Sequence, residues 1–204
     1  MEIEYLTGIA LVKYAQQQIE KNLTSGDYVI DATVGNGHDT LFLARHIGSD
    51  GKVFGFDLQS LALHKTCVRL QQAGMLDQRI ELFRASHAQM LEYLSPAYNQ
   101  RIAAVMFNLG YLPGGGNKTI ITQADTTLPA LNASLKLLKG QGCISIMVYP
   151  GHPGGFQESL AVYRWCRQLH PRLYKTRASY LAGVKKAAPS WLYITKAGGT
   201  LAGA

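Results

Sequence analysis

The stretch VIDATVGNGHDT, residues 29–40, decides the fold. It begins as an apolar strand, turns at Gly35 and Gly37, and continues into an amphipathic helix. Because glycine has no Cβ and tolerates positive φ, this turn lets the backbone approach a ligand, toward which the first helix amides point. A second apolar strand, 53–56, is followed by Asp57, and an acid at that place can accept hydrogen bonds from both hydroxyls of a ribose. The spacing predicts a nucleoside-cofactor pocket in a Rossmann-like sheet.

The cofactor can be a dinucleotide or S-adenosylmethionine, because both bind to this layout. A dinucleotide requires a third glycine, where the helix packs closely on the strand around a pyrophosphate. Thr40 and Leu41 occupy that place. Asp31 ends the first strand, and a carboxylate there suits the ammonium of a methionine tail but repels a pyrophosphate. We therefore predict S-adenosylmethionine; the alternative interpretation is a glycine turn that only shapes the chain.

Length and composition favour one intracellular domain. The chain has 204 residues, 47% of them hydrophobic, so we expect residues 1–204 to form a single domain with a substantial core. The three cysteines lack the spacing of a disulfide framework or a zinc site, and no metal is expected. The amino terminus is acidic where a secretory signal is basic, and no apolar run reaches membrane-spanning length. We expect a cytoplasmic protein without a membrane partner.

The formal net charge of +7 indicates a polyanionic partner, because basic surface attracts phosphate backbones. The alternative interpretation is an ordinary solvated face of a helix and a hairpin. Basic residues concentrate in the C-terminal third, at Arg164, Arg167, Arg172, Lys175, Arg177, Lys185 and Lys186.

Strand and helix patterns alternate along most of the chain, which is typical of a parallel sheet covered on both faces. Strands are predicted at 28–31, 53–57, 80–84, 102–108 and 142–149. Helices are predicted between and after them at 39–47, 60–73, 88–94, 121–138 and 156–169.

The two ends of the chain complete the predicted fold. Thr7 can cap a first helix that runs to about residue 22, so residues 1–24 are predicted as an N-terminal helix. Strands 173–181 and 191–196 are joined by a short loop and must be antiparallel. The tail 198–204 is expected to fray. We predict an α/β fold of the Rossmann-like class I methyltransferase type, with a mostly parallel seven-stranded sheet, an antiparallel C-terminal hairpin and helices on both faces.

Two loops leave strand tips at the carboxyl edge, where open α/β sheets bind ligands. Asn108 opens the first and resembles the Asn of the Asn-Pro-Pro-Tyr signature of methyltransferases that act on planar amines, although Leu109 and Gly110 replace the prolines. The alternative is a glycine-rich turn capped by Asn108. His152 lies in the second loop, where it can orient a substrate, shuttle a proton or serve as a structural hydrogen-bonding residue.

Each of the other polar residues at this edge can contact a ligand or have a purely structural role. Ser86 and His87 follow the third strand, beside the expected place of an adenine ring, and Ser86 can also cap a helix. Asp39 opens the first helix of the alternating region and can bind the cofactor or oppose the helix dipole. Gln59 can reach the ribose or adenine, or face solvent.

Four segments together resemble one family, the YtqB-like methyltransferases. They are DATVGNGHDT (31–40), FDLQ (56–59), FNLGYLPGG (107–115) and VYPGHPGG (148–155). The family is tied to methylation of 5-(aminomethyl)-2-thiouridine in tRNA, the MnmM activity. The similarity spans about residues 7–196. Gly116, in the loop before Asn117 and Lys118, and the segment 184–188 depart from the family pattern.

The residues and the resemblance together predict three groups of site residues. The predicted contacts with S-adenosylmethionine are Asp31, Gly35, Asn36, Gly37, Asp39, Thr40, Asp57, Gln59, Ser86, His87 and Asn108. The predicted catalytic residues are Asn108, Tyr111 and His152. The predicted contacts with the acceptor substrate are Leu109, Gly110, Gly114, Gly115, Lys118 and Tyr149.

The implied reaction is N-methylation of the aminomethyl group of 5-aminomethyl-2-thiouridine at the wobble position, in the anticodon loop of tRNA. Alternatives are methylation of ribosomal RNA or of a protein amide, and a protein that binds S-adenosylmethionine or RNA without chemistry. A homodimer is expected, because a small domain without an RNA-binding appendage gains contact area by pairing.

Overall fold

The computed structural model describes residues 1–114, 119–183 and 188–198, which form an eight-stranded sheet in the order β1-β7-β8-β6-β5-β2-β3-β4. The strands are β1 Glu2–Leu6, β2 Tyr28–Asp31, β3 Lys52–Phe56, β4 Ile80–Phe83, β5 Ile102–Asn108, β6 Leu138–Val148, β7 Tyr174–Leu181 and β8 Ser190–Lys196. The helices are α1 Leu11–Glu20, α2 His38–His46, α3 Ser60–Gln72, α4 Met90–Tyr93, α5 Ala124–Leu137 and α6 Gly155–Gln168.

Strands β2 to β6 are mutually parallel, so their carboxyl ends meet at one edge of the sheet. β5 and β6 lie next to each other in the interior and carry nearly continuous apolar runs, as expected of strands buried on both faces. One face of the sheet packs around Phe54 and Phe107, and the other packs around Ile19, Leu43 and Trp191. This layering holds the polar tips of five strands close together.

The predicted C-terminal hairpin is confirmed, because β8 is antiparallel to both β6 and β7. The loop between its strands contains residues 184–187, which lie outside the described residues. The segment 88–94 is a 3₁₀ turn, His87–Gln89, followed by the single helical turn α4, rather than one helix. β6 begins at Leu138, where a helix was still predicted, and its pairing with β5 is irregular near Ile102.

The amino terminus corrects the prediction of a helix over residues 1–24. Residues 2–6 form β1, which pairs in parallel with β7 and gives the sheet an eighth strand. Ala10, not Thr7, precedes helix α1, and no side chain caps it. Glu4 accepts hydrogen bonds from Ser179 and Tyr14. Ser179 and the rest of β7 are distant in sequence, so the strand depends on tertiary pairing that local propensity does not reveal.

In the glycine turn between β2 and α2, Gly37 is the position with the least space for a side chain. Its φ is +76°, and a Cβ added there would lie 2.6 Å from Thr66 Oγ1 and 2.9 Å from the Thr66 Cα. We expect Gly37→Ala to lower the free energy of unfolding by about 2–5 kcal/mol, from backbone strain and overpacking together. Gly74→Ala is the matched control, because Gly74 has φ of +66° but open space around it.

Chemical denaturation of both variants separates the cost of backbone strain from the cost of steric overlap with Thr66. Gly74→Ala carries only the strain, about 1–2 kcal/mol. Equal losses of stability in the two variants would show that the contact with Thr66 is unimportant.

Candidate functional site

A cavity of about 600 Å³ lies at the carboxyl edge of the parallel strands. It is lined from the β2, β3 and β4 ends by Gly35, Asn36, Asp57, Gln59, Ser86 and His87, and from the β5 and β6 ends by Asn108, Leu109, Gly110, Tyr111, Tyr149 and His152. Asp39 of helix α2 also lines it. Most of the predicted site residues are therefore brought together in one concave space, whose volume is typical of small-molecule sites.

Asp57 joins the glycine turn to the end of β3. One carboxylate oxygen accepts the Gly35 amide at 2.9 Å, and the other accepts the Gln59 amide at 2.8 Å. Burial raises the pKa of Asp57, while these amides favour its charged form. Each oxygen of a carboxylate has a further lone pair, so Asp57 can accept two more hydrogen bonds. A vicinal diol such as a ribose matches this arrangement.

Three predicted cofactor contacts lie behind the cavity rather than in its wall. Asp31 is fully buried, and its carboxylate accepts hydrogen bonds from the Thr40 hydroxyl at 2.6 Å and the Thr33 amide at 3.2 Å. Gly37 packs on Thr66. Their polar groups form hydrogen bonds inside the protein that shape the turn. Direct contact of Asp31, Gly37 and Thr40 with a ligand stays a prediction.

Asp31 provides a pH test of this buried arrangement. Burial, followed by repulsion from Asp39, raises the pKa of Asp31 from 3.8 to about 7. The folded protein then holds a proton that the unfolded chain releases, so wild-type stability falls as pH rises from about 4 to about 7. We expect Asp31→Asn to gain stability relative to wild type by at most about 1.4 kcal/mol per pH unit across that window, and to level off above it.

Denaturant titrations of both proteins at several pH values measure this difference. A constant difference between pH 4 and pH 7 would contradict a raised pKa for Asp31.

His87 is a buried neutral imidazole at the end of β4. Its Nδ1 donates to the Ala32 carbonyl at 3.2 Å, and burial lowers its pKa to about 4. Nε2 is consequently a lone-pair acceptor, and it is buried without a hydrogen-bond partner among residues 1–114, 119–183 and 188–198. Ser86 accepts the Ala88 amide and caps the 3₁₀ turn, as predicted. A ligand that donates a hydrogen bond here would satisfy His87.

Asn108 lies at the end of β5 and is held from two sides. Its backbone amide donates to Thr33 Oγ1 at 2.7 Å, and its side-chain Nδ2 donates to Asp39 Oδ2 at 2.7 Å. The other Asp39 oxygen accepts Nε2 of Gln16, in helix α1, at 2.8 Å. Both the backbone and the amide plane of Asn108 are thereby fixed at the cavity wall. The sequence did not indicate the part played by Gln16.

Tyr111 and His152 face each other at the cavity mouth. Their ring centroids lie 6.1 Å apart, and the rings are nearly perpendicular. Tyr111 is 44% exposed and can cover a planar group that enters the cavity. His152 Nδ1 donates to the Pro153 carbonyl at 3.0 Å, which leaves Nε2 as the acceptor nitrogen when the ring is neutral.

The loop after β5 is anchored by a buried acid that sequence analysis missed. Glu158 of helix α6 is 2% exposed and accepts the hydroxyls of Thr122 and Thr127 at 2.8 and 2.6 Å. Thr122 in turn accepts the Gly110 amide at 2.7 Å. Burial raises the pKa of Glu158. A single acid in an amphipathic helix usually faces solvent. The burial of Glu158 becomes apparent only from its contacts with Thr122 and Thr127, which lie in a distant segment.

A second set of contacts connects the glycine turn between β2 and α2 to the loop after β5. Asn36 donates from Nδ2 to the Pro113 carbonyl at 3.0 Å, and Lys65 donates to the Gly114 carbonyl at 3.1 Å. Arg69 donates to the Asn36 carbonyl at 2.7 Å. Gly114 thus belongs to the rim rather than the wall of the cavity. Two further predicted acceptor contacts, Gly115 and Lys118, and the neighbouring Gly116 and Asn117 lie outside the described residues.

Among the residues that the structure describes, the basic side chains of the C-terminal third do not line the cavity. Arg164 and Arg167 lie in the second half of α6, and Arg172 and Lys175 lie near the start of β7, toward the opposite edge of the sheet. Arg177 packs on Tyr14, Trp191 and Tyr193 and pairs with Glu4. Lys185 and Lys186 lie outside the described residues. Near the mouth, positive charge instead comes from Lys65 and Arg69 of α3, which the sequence analysis did not single out.

The described part of the chain contains no cluster of three or more His, Cys, Asp or Glu side chains suited to a metal ion. Its three cysteines, Cys67, Cys143 and Cys166, are free thiols. Within the same residues, none of the helices has the length and apolar character needed to span a membrane.

Comparisons with known proteins agree with this architecture. The family described as "Putative rRNA methylase" matches residues 53–195. The chain is 46% identical over 146 residues to the chloroplastic tRNA (mnm(5)s(2)U34)-methyltransferase of Arabidopsis thaliana, a match that covers 68% of this chain and 52% of that relative. The chain therefore spans about half the length of this relative.

Two solved structures cover nearly the whole chain. A "putative rRNA-methylase" from Clostridium thermocellum is 34% identical, with 94% of this chain and all of that chain covered and a TM-score of 0.86. A "putative methyltransferase" from Streptococcus mutans, solved in complex with SAH, is 30% identical, with 93% and 99% covered and a TM-score of 0.81. The chain therefore belongs to the family described as "Putative rRNA methylase", confirming the YtqB-like resemblance, and its fold is that of the class I methyltransferases.

Proposed function

We propose that this chain transfers the methyl group of S-adenosylmethionine to the aminomethyl nitrogen of 5-aminomethyl-2-thiouridine at the wobble position of tRNA. The product is 5-methylaminomethyl-2-thiouridine. The observation that carries the proposal is one cavity with two distinct ends: Asp57 beside the glycine turn, and Asn108 with Tyr111 at the neighbouring strand tip. The tRNA methyltransferase activity named for the Arabidopsis relative supports this acceptor, over the part that the two chains share.

The residues of the β2 to β4 ends fit S-adenosylmethionine. Asp57 has lone pairs for both ribose hydroxyls, and the glycine turn at Gly35 leaves room for a ligand close to the backbone. The unpartnered Nε2 of buried His87 can accept a hydrogen bond from an amino group of the ligand. The SAH bound by the Streptococcus mutans relative supports the same choice. When bound, S-adenosylmethionine supplies an electrophilic methyl group on a sulfonium.

The residues of the β5 and β6 ends position the amine. The neutral nitrogen forms a new bond to the methyl carbon as the sulfur–carbon bond breaks, and the resulting ammonium releases a proton to water. Asn108 accepts a hydrogen bond from the amine, and Tyr111 packs on the uracil ring. An aliphatic amine needs no strong base once it is neutral, so alignment dominates, and it can be worth about 7–11 kcal/mol.

Recognition of the RNA follows from the exposed mouth of the cavity. Wobble bases are unpaired, so a splayed base can enter the cavity and stack on an aromatic ring. Tyr111 supplies such a ring, and Lys65 supplies positive charge at the rim beside Gly114. Contacts with phosphates make tRNA binding weaken as salt concentration rises.

A second candidate is methylation of an exocyclic amine in ribosomal RNA, which the family description favours. The cofactor end of the cavity serves either acceptor equally well. Only the acceptor end and the RNA surface distinguish the two candidates.

Methyl transfer from labelled S-adenosylmethionine tests the proposal. Purified protein is incubated with total tRNA and with ribosomal RNA from cells that lack the modification, and the nucleosides are separated after digestion. We expect label in 5-methylaminomethyl-2-thiouridine, with transfer that decreases as salt rises. Label in ribosomal RNA alone would support the second candidate, and label in neither would indicate a binding protein without this chemistry.

A further inference from the structure

We propose that Asp39 is a positioning residue that orients the side-chain amide of Asn108, with its oxygen toward the methyl acceptor. The orientation favours acceptor atoms that carry hydrogen, such as exocyclic amines, over ring nitrogens that offer only a lone pair. This inference rests on the proposed function and assigns to Asp39 a task other than cofactor binding or helix capping.

The orientation follows from the chemistry of the Asp39–Asn108 contact. An ionised carboxylate only accepts hydrogen bonds, so the atom of Asn108 that lies 2.7 Å from Asp39 Oδ2 must be the NH₂ nitrogen. The amide oxygen is then the acceptor atom that this side chain offers at the cavity wall, and Nδ2 keeps only its second N–H. An asparagine without such a neighbour can present either atom to a ligand.

Asp39 is itself held, which makes the orientation persistent. It is 7% exposed, in the first turn of α2, and its second carboxylate oxygen accepts Gln16 Nε2 at 2.8 Å. The backbone amide of Asn108 is bound to Thr33. Elements α1, α2 and β5 therefore converge on one amide group, and rotation of that group would break the contact with Asp39.

The carboxylate also strengthens the amide as an acceptor. A hydrogen bond to an ionised partner is stronger than one between neutral groups, and it polarises the amide so that its carbonyl oxygen gains negative charge. An amine N–H is attracted to this oxygen in the ground state and more strongly as the nitrogen becomes cationic during methylation. A ring nitrogen would instead place its lone pair against the oxygen.

Asp39→Asn tests the proposal because it keeps the shape and removes the obligatory acceptor. We expect kcat for methyl transfer to fall about 10-fold to 100-fold, with little change in the Kd of S-adenosylhomocysteine. In an Asn108→Ala background the same substitution should have less than about a 2-fold effect, because coupled residues are non-additive. Asp125→Asn, which removes an exposed first-turn acid from α5, is the matched control and should leave kcat unchanged.

NMR of the Asn108 side-chain amide gives a readout that needs no substrate. We expect the proton that Asn108 donates to Asp39 to exchange slowly with solvent in wild type and faster in Asp39→Asn. Unchanged exchange and unchanged kcat would overturn the role of Asp39. Failure of the wild type to methylate any RNA would overturn the catalytic part and the proposed function, while a protected Asn108 proton would then still show the fixed amide.

Discussion

Asn108→Ala is expected to lower the rate of methyl transfer by about 10²–10³-fold, the loss typical of removing one aligned hydrogen bond to a developing charge. The amide oxygen of Asn108 interacts with the amine most strongly when the nitrogen becomes cationic, so its loss affects the transition state more than the ground state. The backbone of Asn108 remains held by Thr33, and the truncation leaves the turn beside Asp57 intact.

The measurement is kcat for tRNA methylation together with the Kd of S-adenosylhomocysteine. Affinity should change by less than about 3-fold, since the proposed ribose contacts of Asp57 lie on another strand tip and we expect the predicted contact of Asn108 with the cofactor to contribute little. Asn99→Ala is the matched control, because Asn99 is an exposed asparagine that precedes the same strand at its opposite end. Equal losses of turnover and affinity would assign Asn108 to cofactor binding alone.

Asp57→Ala is expected to weaken binding of S-adenosylhomocysteine by about 100-fold. The substitution removes two acceptors for the ribose hydroxyls and leaves the amides of Gly35 and Gln59 without their carboxylate. Hydrogen bonds to a charged group contribute about 1.5–3 kcal/mol each, so the loss of two costs about 3–6 kcal/mol before any relaxation. Relaxation of the turn and entry of water offset part of this cost and leave about 2.7 kcal/mol, which corresponds to the factor of about 100.

Calorimetric titration of three variants locates the effect. Asp57→Asn retains one acceptor oxygen and should bind with intermediate affinity. Glu81→Ala removes an acid of the neighbouring strand β4 that pairs with Lys52, and it should bind as wild type does. Wild-type affinity in Asp57→Ala would contradict the assignment of the ribose to β3.

The cofactor half of the site could be predicted from the sequence because its signals are local. Gly35 and the acid at 57 follow apolar strands at a spacing set by the β-turn-helix geometry, and the structure places both in the cavity wall. Asp31 shows the limit of such reasoning. Its position at a strand end was correct, but the direction of its side chain depends on Thr40, in the first turn of α2.

The acceptor half and the sheet edge could be predicted only in part. Asn108 and Tyr111 could be predicted because they belong to a distinctive glycine-rich loop that directly follows the buried strand β5. Glu158 and Gln16 did not, since each is a polar residue in an amphipathic helix whose partner lies in a distant segment. The strand β1 was missed for the same reason: it forms against β7, which follows about 170 residues later. Long-range pairing leaves little trace in local periodicity.

Calorimetric titration of the purified wild-type chain with S-adenosylhomocysteine tests most directly whether this cavity is a sulfonium-nucleoside site. We expect one site per chain, with binding that is weakened about 100-fold in Asp57→Ala and changed by less than about 3-fold in Asn108→Ala. Absence of heat and of competition by S-adenosylmethionine would contradict the assignment, and with it the proposed methyl transfer.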